Sequence, residues 1–229
     1  MLNTYKVHIV GNGLLASKFL NTTFQIPVLI FASGVSNSLE ENITAFNREI
    51  ELLQQHLTTP KLLIYFSSYS VTYKQSAYVS HKLLIEKLIQ QHTPKYLILR
   101  LTNVVGNAGN SNTVINYLYQ KIKTNQTFEL YQNAERNFLD IDDVVLTVTN
   151  LINNNVANRV LNLGYSHNIT MPQVMANIEQ YLHTKAVYTI NNAVVERVGN
   201  NFEPIITEHT ATTATAYLQQ ILQKYFAKA

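Results

Sequence analysis

The 229 residues include no cysteine. That excludes disulfides and thiolate metal sites. The seven histidines are scattered without ligand spacing, so no metal site is expected. Charge is scarce as well: Asp, Glu, Lys and Arg make up 14% of the chain. With asparagine abundant, the surface must rely on neutral polar groups. The net charge of +3 is mildly basic, but no run of Lys or Arg stands out, which leaves nucleic-acid binding without support. No apolar stretch reaches spanning length. The N-terminus enters a strand-like run directly, without the apolar region and cleavage site of a signal peptide. A cytosolic protein with no membrane partner is expected, and Asn-x-Thr triplets such as Asn42–Thr44 are then chance products. There is no internal repeat and no low-complexity linker. With 46% apolar residues, the chain can build one sizeable core, or one core with a small appendage.

What is present is organised around Ser76–Gln91, SAYVSHKLLIEKLIQQ. Leu84, Ile85, Leu88 and Ile89 recur at helical steps. On a helix Tyr78 and Lys82, four apart, share a face. Just before it, Leu62–Phe66 reads as a buried strand ending at Ser67 and Ser68. A hydroxyl, a phenol and an ammonium are the parts needed to move a proton on or off a carbinol oxygen, and the lysine charge is expected to lower the tyrosine pKa toward working pH.

At the N-terminus, a Tyr5–Val10 strand runs into Gly11-Asn12-Gly13-Leu14-Leu15-Ala16. This is G-x-G-x-x-A, a turn that lets a pyrophosphate approach the backbone ahead of a helix N-terminus. A second strand ending in Asp or Glu is expected about 20 residues on. It is missing, because Ser17–Gln25 is too short to hold it. The next strand is Pro27–Ala32, followed by a small polar loop, Ser33–Ser38, suited to lying under a ligand. Glu40–Leu57 reads as an amphipathic helix with a stripe of Ile43, Phe46, Ile50, Leu53 and Leu57, and Glu40 and Glu41 suit its dipole. Tyr96–Leu101 is a fourth strand, left through Thr102-Asn103 and a Gly/Asn/Ser loop to Asn112. Thr113–Lys123 is helical and Phe128–Tyr131 extended. Arg136 offers a fork for a phosphate. Asp142 and Asp143 read as N-cap and first-turn acids of a helix to about Ile152. Arg159–Leu163 is a strand, Thr170 with Pro172 opens a helix, Ala186–Ile190 is extended, and Thr210–Phe226 closes the chain as a helix.

The joint order of these pieces resembles the extended short-chain dehydrogenase/reductase family, in particular its nucleotide-sugar epimerases, dehydratases and reductases. FASGVSNS, IYFSSYSV with YVSHK, LRLTNVVG, RNFLDIDDVV and LNLGYSHNITMPQV each resemble a family segment. The resemblance implies an α/β fold: a Rossmann-like, mostly parallel sheet flanked by helices, shortened on the adenosine-binding side. It implies a single domain over 1–229, with 104–127 and 165–229 forming a small substrate subdomain. It implies catalysis by Ser68, Tyr78 and Lys82, with Ser67 and Ser70 as neighbouring alternatives to Ser68. NAD or NADP would lie on Gly11, Gly13, Leu14, Ala32, Ser33 and Gly34, with Lys82 on the nicotinamide ribose. Asn103 and Arg136 would contact a nucleotide-sugar diphosphate. The implied function is an NAD(P)-dependent epimerase or keto-reductase in cell-surface polysaccharide synthesis. The alternatives are a non-catalytic nucleotide- or nucleotide-sugar-binding protein and a cofactor-free sugar isomerase.

The missing strands pose a topological question. A direct step from the first strand to Pro27–Ala32 through the usual first helix would be a left-handed crossover. Either that helix has changed face, or the strand order is altered, or a homodimer partner or a covering segment protects the edge.

Overall fold

A computed structural model describes residues 3–107, 113–193, 195 and 197–226. Its elements in chain order are β1 (Tyr5–Lys6), β2 (His8–Val10), α1 (Leu14–Lys18), β3 (Thr23–Phe24), β4 (Val28–Phe31), α2 (Ile43–Gln54), β5 (Leu62–Ser68), α3 (Ala77–His92), β6 (Tyr96–Leu101), β7 (Asn103–Val105), α4 (Val114–Lys123), β8 (Phe128–Tyr131), β9 (Glu135–Arg136), β10 (Phe138–Asp140), α5 (Ile141–Asn153), β11 (Arg159–Leu163), β12 (Ile169–Thr170), α6 (Met171–Leu182), β13 (Tyr188–Asn191) and α7 (Ala214–Phe226). A short 3-10 turn, Tyr69–Thr72, joins β5 to the approach to α3.

The uninterrupted apolar runs of β4, β5 and β6 are those of strands covered on both faces. They form the centre of a five-stranded parallel sheet, ordered β2-β4-β5-β6-β11. Alternate residues feed two cores. Val28, Ile30, Ile64, Leu97 and Leu99 pack against Phe19 and, from α5, Val144 and Val148. Leu29, Phe31, Leu63, Tyr65 and Ile98 pack against Leu53, Leu57, Ile85 and Ile89 of α2, α3 and the turn between them. This is the Rossmann-like, helix-flanked sheet the sequence predicts.

The two cores also answer the topological question. The steps β2→β4, β4→β5 and β5→β6 all advance in the same direction across the sheet. α2 and α3 lie on one face, but α1 stays on the α5 face, where Lys18 Nζ meets Asp142 Oδ1 at 2.6 Å. The first crossover therefore has the opposite hand to the next two, against the strong preference for a right-handed connection. Part of the edge is covered by the chain itself. Val7 N–H donates to Thr22 O, Tyr5 pairs with Phe24 and Lys6 with Thr23 in an antiparallel ribbon. Val10 O, three residues from Val7, instead accepts from Ala32 N on the β4 side. Backbone groups of successive residues point to opposite sides of a strand, so 22–24 lies along the outer edge of the first strand.

Several boundaries move for identifiable reasons. The expected Tyr5–Val10 strand divides at Val7, because its two halves pair with different neighbours. α2 starts at Ile43 rather than Glu40, since the Asn42 side chain accepts from Thr44 N–H and caps it. Glu40 lies ahead of the helix, accepting from Glu41 and Asn42 N–H, so neither acid occupies its first turn. The N-cap of α5 is Asp140, whose carboxylate accepts from Asp142 N–H; Asp142 and Asp143 occupy the first turn. Thr170 opens α6 in a capping box with Gln173. α7 begins at Ala214 instead of Thr210. The Gly/Asn/Ser loop up to Asn112 falls partly on 108–112, outside the described residues.

A further apolar cluster joins α4, α6 and α7 through Ile115, Leu118, Val174, Ile178, Leu218 and Ile221. Asp140 ties α7 and the segment before it to the junction of β10 and α5: its carboxylate accepts from Tyr225 Oη, from Lys224 Nζ at 2.8 Å and from His209 Nε2 at 2.6 Å. Among the described residues, no helix is long and apolar enough to cross a membrane.

Candidate functional site

In a parallel sheet every strand ends at the same edge, which is where open α/β folds bind their ligands. Gly11, Ala32, Ser68 and Asn103 all follow or end strands at this edge.

The glycine turn is shaped as the sequence requires. Gly11 has φ +123, and a Cβ there would lie 2.5 Å from Ala32 O. No side chain fits, and the turn packs directly on the loop after β4. A Cβ at Gly13 would meet nothing within 4 Å, which leaves the space a phosphate needs. α1 is only five residues long and Gly13, its N-cap, brings no side-chain bond. The turn thus offers open backbone ahead of a short helix. Leu14 starts that helix, and Ala32, Ser33 and Gly34 form the facing loop, held by Arg48, whose guanidinium donates to Ser33 O at 3.0 Å.

Ser68 and Tyr78 are brought together. Ser76 caps α3 by accepting from Val79 N–H, which starts the helix so that Tyr78 faces the end of β5. Tyr78 is 6% exposed, and the neighbouring Ser68 side chain favours its ionised form. Ser68 Oγ also shares a 2.8 Å hydrogen bond with Ser70 Oγ and accepts from Ser70 N–H. Of the three serines, Ser67 is turned inward, donating to Glu86 Oε1 at 2.6 Å.

Lys82 differs from expectation. It is 2% exposed, and its Nζ donates to Tyr65 Oη at 2.9 Å and to Glu49 Oε1 at 3.3 Å. Gly34 covers it so closely that a Cβ there would lie 2.8 Å from Nζ. The lysine therefore faces a protein carboxylate, and the ribose-holding role expected of it has no open face. Its effect on Tyr78 changes too. The tyrosine pKa was expected to fall; instead burial, together with the Glu49 charge, pushes it up to about 12. Besides burial, the cause acts across space: Glu49, on the inner face of α2, takes up the lysine charge. Burial by itself pushes the Lys82 pKa down, and Glu49 opposes that.

The sequence reading missed Glu49. It is fully buried and accepts from four donors: Val35 N–H at 2.6 Å, Tyr65 Oη at 2.7 Å, His81 Nε2 at 2.9 Å and Lys82 Nζ. These hold its pKa at about 2 against the opposing effect of burial. A signal existed: Glu49 lies three residues after Phe46 and four before Leu53, on the apolar stripe where a carboxylate needs partners.

Asn103 and Arg136 sit on adjoining ribbons. Asn103 starts β7, opposite Phe138 of β10, and its side chain donates to Asn137 O at 2.8 Å. Arg136 is half-buried, with Nη1 donating to Glu135 O at 2.7 Å; burial lowers its pKa and nearby Tyr73 raises it. Between them Asn137, fully buried, bonds Thr102, Tyr165 and Asn168. It fixes the two ribbons carrying these residues, a role the sequence pattern did not disclose.

The residues therefore fit a dinucleotide at the glycine turn and at the Ser68–Tyr78 pair, and depart from it at Lys82. Residues 58–164, just under half the chain, match the family model described as the NAD dependent epimerase/dehydratase family. Solved structures share the fold over most of both chains. MoeE5 in complex with UDP-glucose and NAD superposes with a TM-score of 0.66 at 16% identity, over 87% of this chain and 80% of that one. ADP-L-glycero-D-manno-heptose-6-epimerase of Helicobacter pylori gives 0.66 at 16% identity, over 88% and 73%. The UDP-glucose 4-epimerase of Thermus thermophilus in complex with NAD gives 0.65 at 12% identity, over 88% and 78%. No curated protein matches the sequence significantly. The resemblance read from the motif order is thus borne out by the family match over 58–164 and by the fold.

Proposed function

We propose that this chain is an NAD(P)-dependent enzyme acting on a nucleotide-activated sugar, as an epimerase or keto-reductase, in the cytosolic synthesis of cell-surface polysaccharide. The observation that carries this reading is that Tyr78, at the start of α3, is set beside Ser68, at the end of β5, on the same sheet edge as the open glycine turn. Gly11, Gly13 and Leu14 would hold the dinucleotide phosphates, with Ala32, Ser33 and Gly34 opposite. The dinucleotide, once bound, supplies the hydride donor or acceptor. Tyr78 moves the proton at the sugar oxygen, and Ser68 orients that oxygen through its hydroxyl. Asn103 and the half-buried Arg136 would receive the diphosphate, where a guanidinium fork suits two phosphate oxygens. The segments 104–127 and 165–229 would close over the sugar as a substrate subdomain.

The buried Lys82 favours a second reading, a nucleotide-sugar-binding protein without turnover. One experiment separates the two. Purified protein is titrated with NADH and NADPH by fluorescence and thermal stability, with mass spectrometry for co-purified dinucleotide. Keto-sugar nucleotides are then screened with Tyr78→Phe as control. Turnover abolished by Tyr78→Phe supports the enzyme. Nucleotide-sugar binding unchanged by Tyr78→Phe, with no dinucleotide bound at millimolar concentration, supports the binding protein.

A further inference from the structure

The enzyme reading leaves open which way the proton first moves, and the Glu49–Lys82 pair bears on that. An ammonium beside a phenol favours the phenolate only if its charge is not already answered. Here it is answered. Lys82 Nζ lies 5.7 Å from the centre of the Tyr78 ring and donates to Glu49 Oε1 at 3.3 Å. Among the described residues, the other charged and titratable groups packed around this pair are themselves engaged. Tyr65, from β5, accepts from Lys82 Nζ and donates its proton to the carboxylate. His81, next to Lys82 on α3, bonds the other Glu49 oxygen and stacks on Phe46. Glu86, one turn further along α3, is paired with Arg100 at 2.6 Å. Arg48, from α2, is turned to Ser33.

We propose that Glu49 is a positioning residue that takes up the Lys82 charge and keeps Tyr78 as a proton donor, so that the site is set to protonate a carbonyl oxygen and its substrate is a keto-sugar nucleotide. The inference rests on the function proposed above and narrows it to reduction. The carbonyl carbon receives a hydride from a reduced nicotinamide dinucleotide, which is oxidised. The carbonyl oxygen takes the Tyr78 proton, and water returns a proton to the phenolate. An epimerase would have to begin by removing a hydroxyl proton, for which an already ionised tyrosine is the better starting state. The high pKa of Tyr78 agrees with the donor role.

The test follows tyrosine ionisation by absorbance in the protein without added ligand, subtracting the matching Tyr78→Phe protein each time. In the wild type, Tyr78 is expected to stay protonated past pH ~10, the ordinary tyrosine value. Glu49→Gln should lower its midpoint by on the order of one pH unit or more. Lys82→Met should raise it. The double variant, in which both charges are gone and the balance is kept, should lie near the wild type. A purely structural Glu49 would cost stability without this pattern of shifts. Ionisation of wild-type Tyr78 below pH ~9 would overturn the proposal, as would a Glu49→Gln midpoint at or above that of the wild type. If Glu49→Gln does not fold, Lys82→Met decides: the Glu49 charge left unanswered should raise the midpoint, and an unchanged or lower midpoint would overturn the proposal. None of these readings needs cofactor or substrate, so a protein without turnover would count against the proposed function and leave this result standing.

Discussion

Acid should act on this fold through Glu49 in particular. Its carboxyl is fully buried and held from an ordinary 4.5 down to about 2 by its donors. A carboxylate whose pKa is lower folded than unfolded stabilises the fold above its unfolded value, and the gain is lost as pH falls through the folded value. The gap corresponds to about 3 kcal/mol, present at pH 6 and lost between pH ~5 and pH ~2. Because the group is out of solvent, this needs no discount for screening. Glu49→Gln removes that component and leaves Lys82 buried without its counter-ion, which costs about 3–5 kcal/mol at neutral pH. For a chain of this size the melting temperature should fall by about 10 °C. Urea unfolding of both proteins at a series of pH values tests the argument. The stability difference should be large at pH 7 and shrink as pH falls below 4. Asp142 is also depressed, to about 2. Its side chain is 39% exposed and paired with Lys18 and Lys224, so its smaller contribution is common to both proteins and cancels. If the two stabilities fall in parallel with pH, Glu49 is not the residue through which acid acts.

Tyr78→Phe keeps the buried ring and should leave stability within about 1 kcal/mol while lowering turnover by ~100-fold or more, measured as kcat on a keto-sugar nucleotide. Gly34→Ala drives a methyl group against Lys82 Nζ and Glu49 Oε1, each within 2.9 Å of the new atom; a loss of about 1–3 kcal/mol is expected in urea unfolding. Tyr217→Phe removes the hydroxyl that donates to Asp143 and accepts from Asp140 N–H, and should cost about 1–3 kcal/mol. Asp140→Asn should loosen α7 by weakening its bonds to Lys224 and Tyr225, seen as faster proteolysis near the C-terminus.

How much of this could be read in advance depended on whether the cause was local. β6, β8 and β11 have the bounds expected of them, because apolar runs between turn residues are local signals. The meeting of Ser68 and Tyr78 followed from a strand end and a helix start. The fate of Lys82 did not, because it is set by a residue 33 positions away on another helix. Glu49 looked like a polar break in a stripe, and only the packed structure shows four donors around it. The β1–β3 ribbon escaped notice for a different reason: two residues per strand give no periodicity to detect. Asn137 was hidden among many asparagines, and its bonds cross 28 to 35 positions of chain.

The strand order has a consequence for how the molecule is assembled. The sheet runs β2, β4, β5, β6, β11, so spatial order follows chain order throughout. Each strand leaving the ribosome can dock on the free edge of the one before it, and no earlier pair has to open to admit a later strand. The unsatisfied edge moves along with synthesis. Behind it, residues 22–24 seal part of the first strand; ahead of it, the last edge is met only when Glu203 N–H reaches Asn162 O. Until then β11 is a growing end, and the hazard of pairing with another chain is confined to one strand at a time.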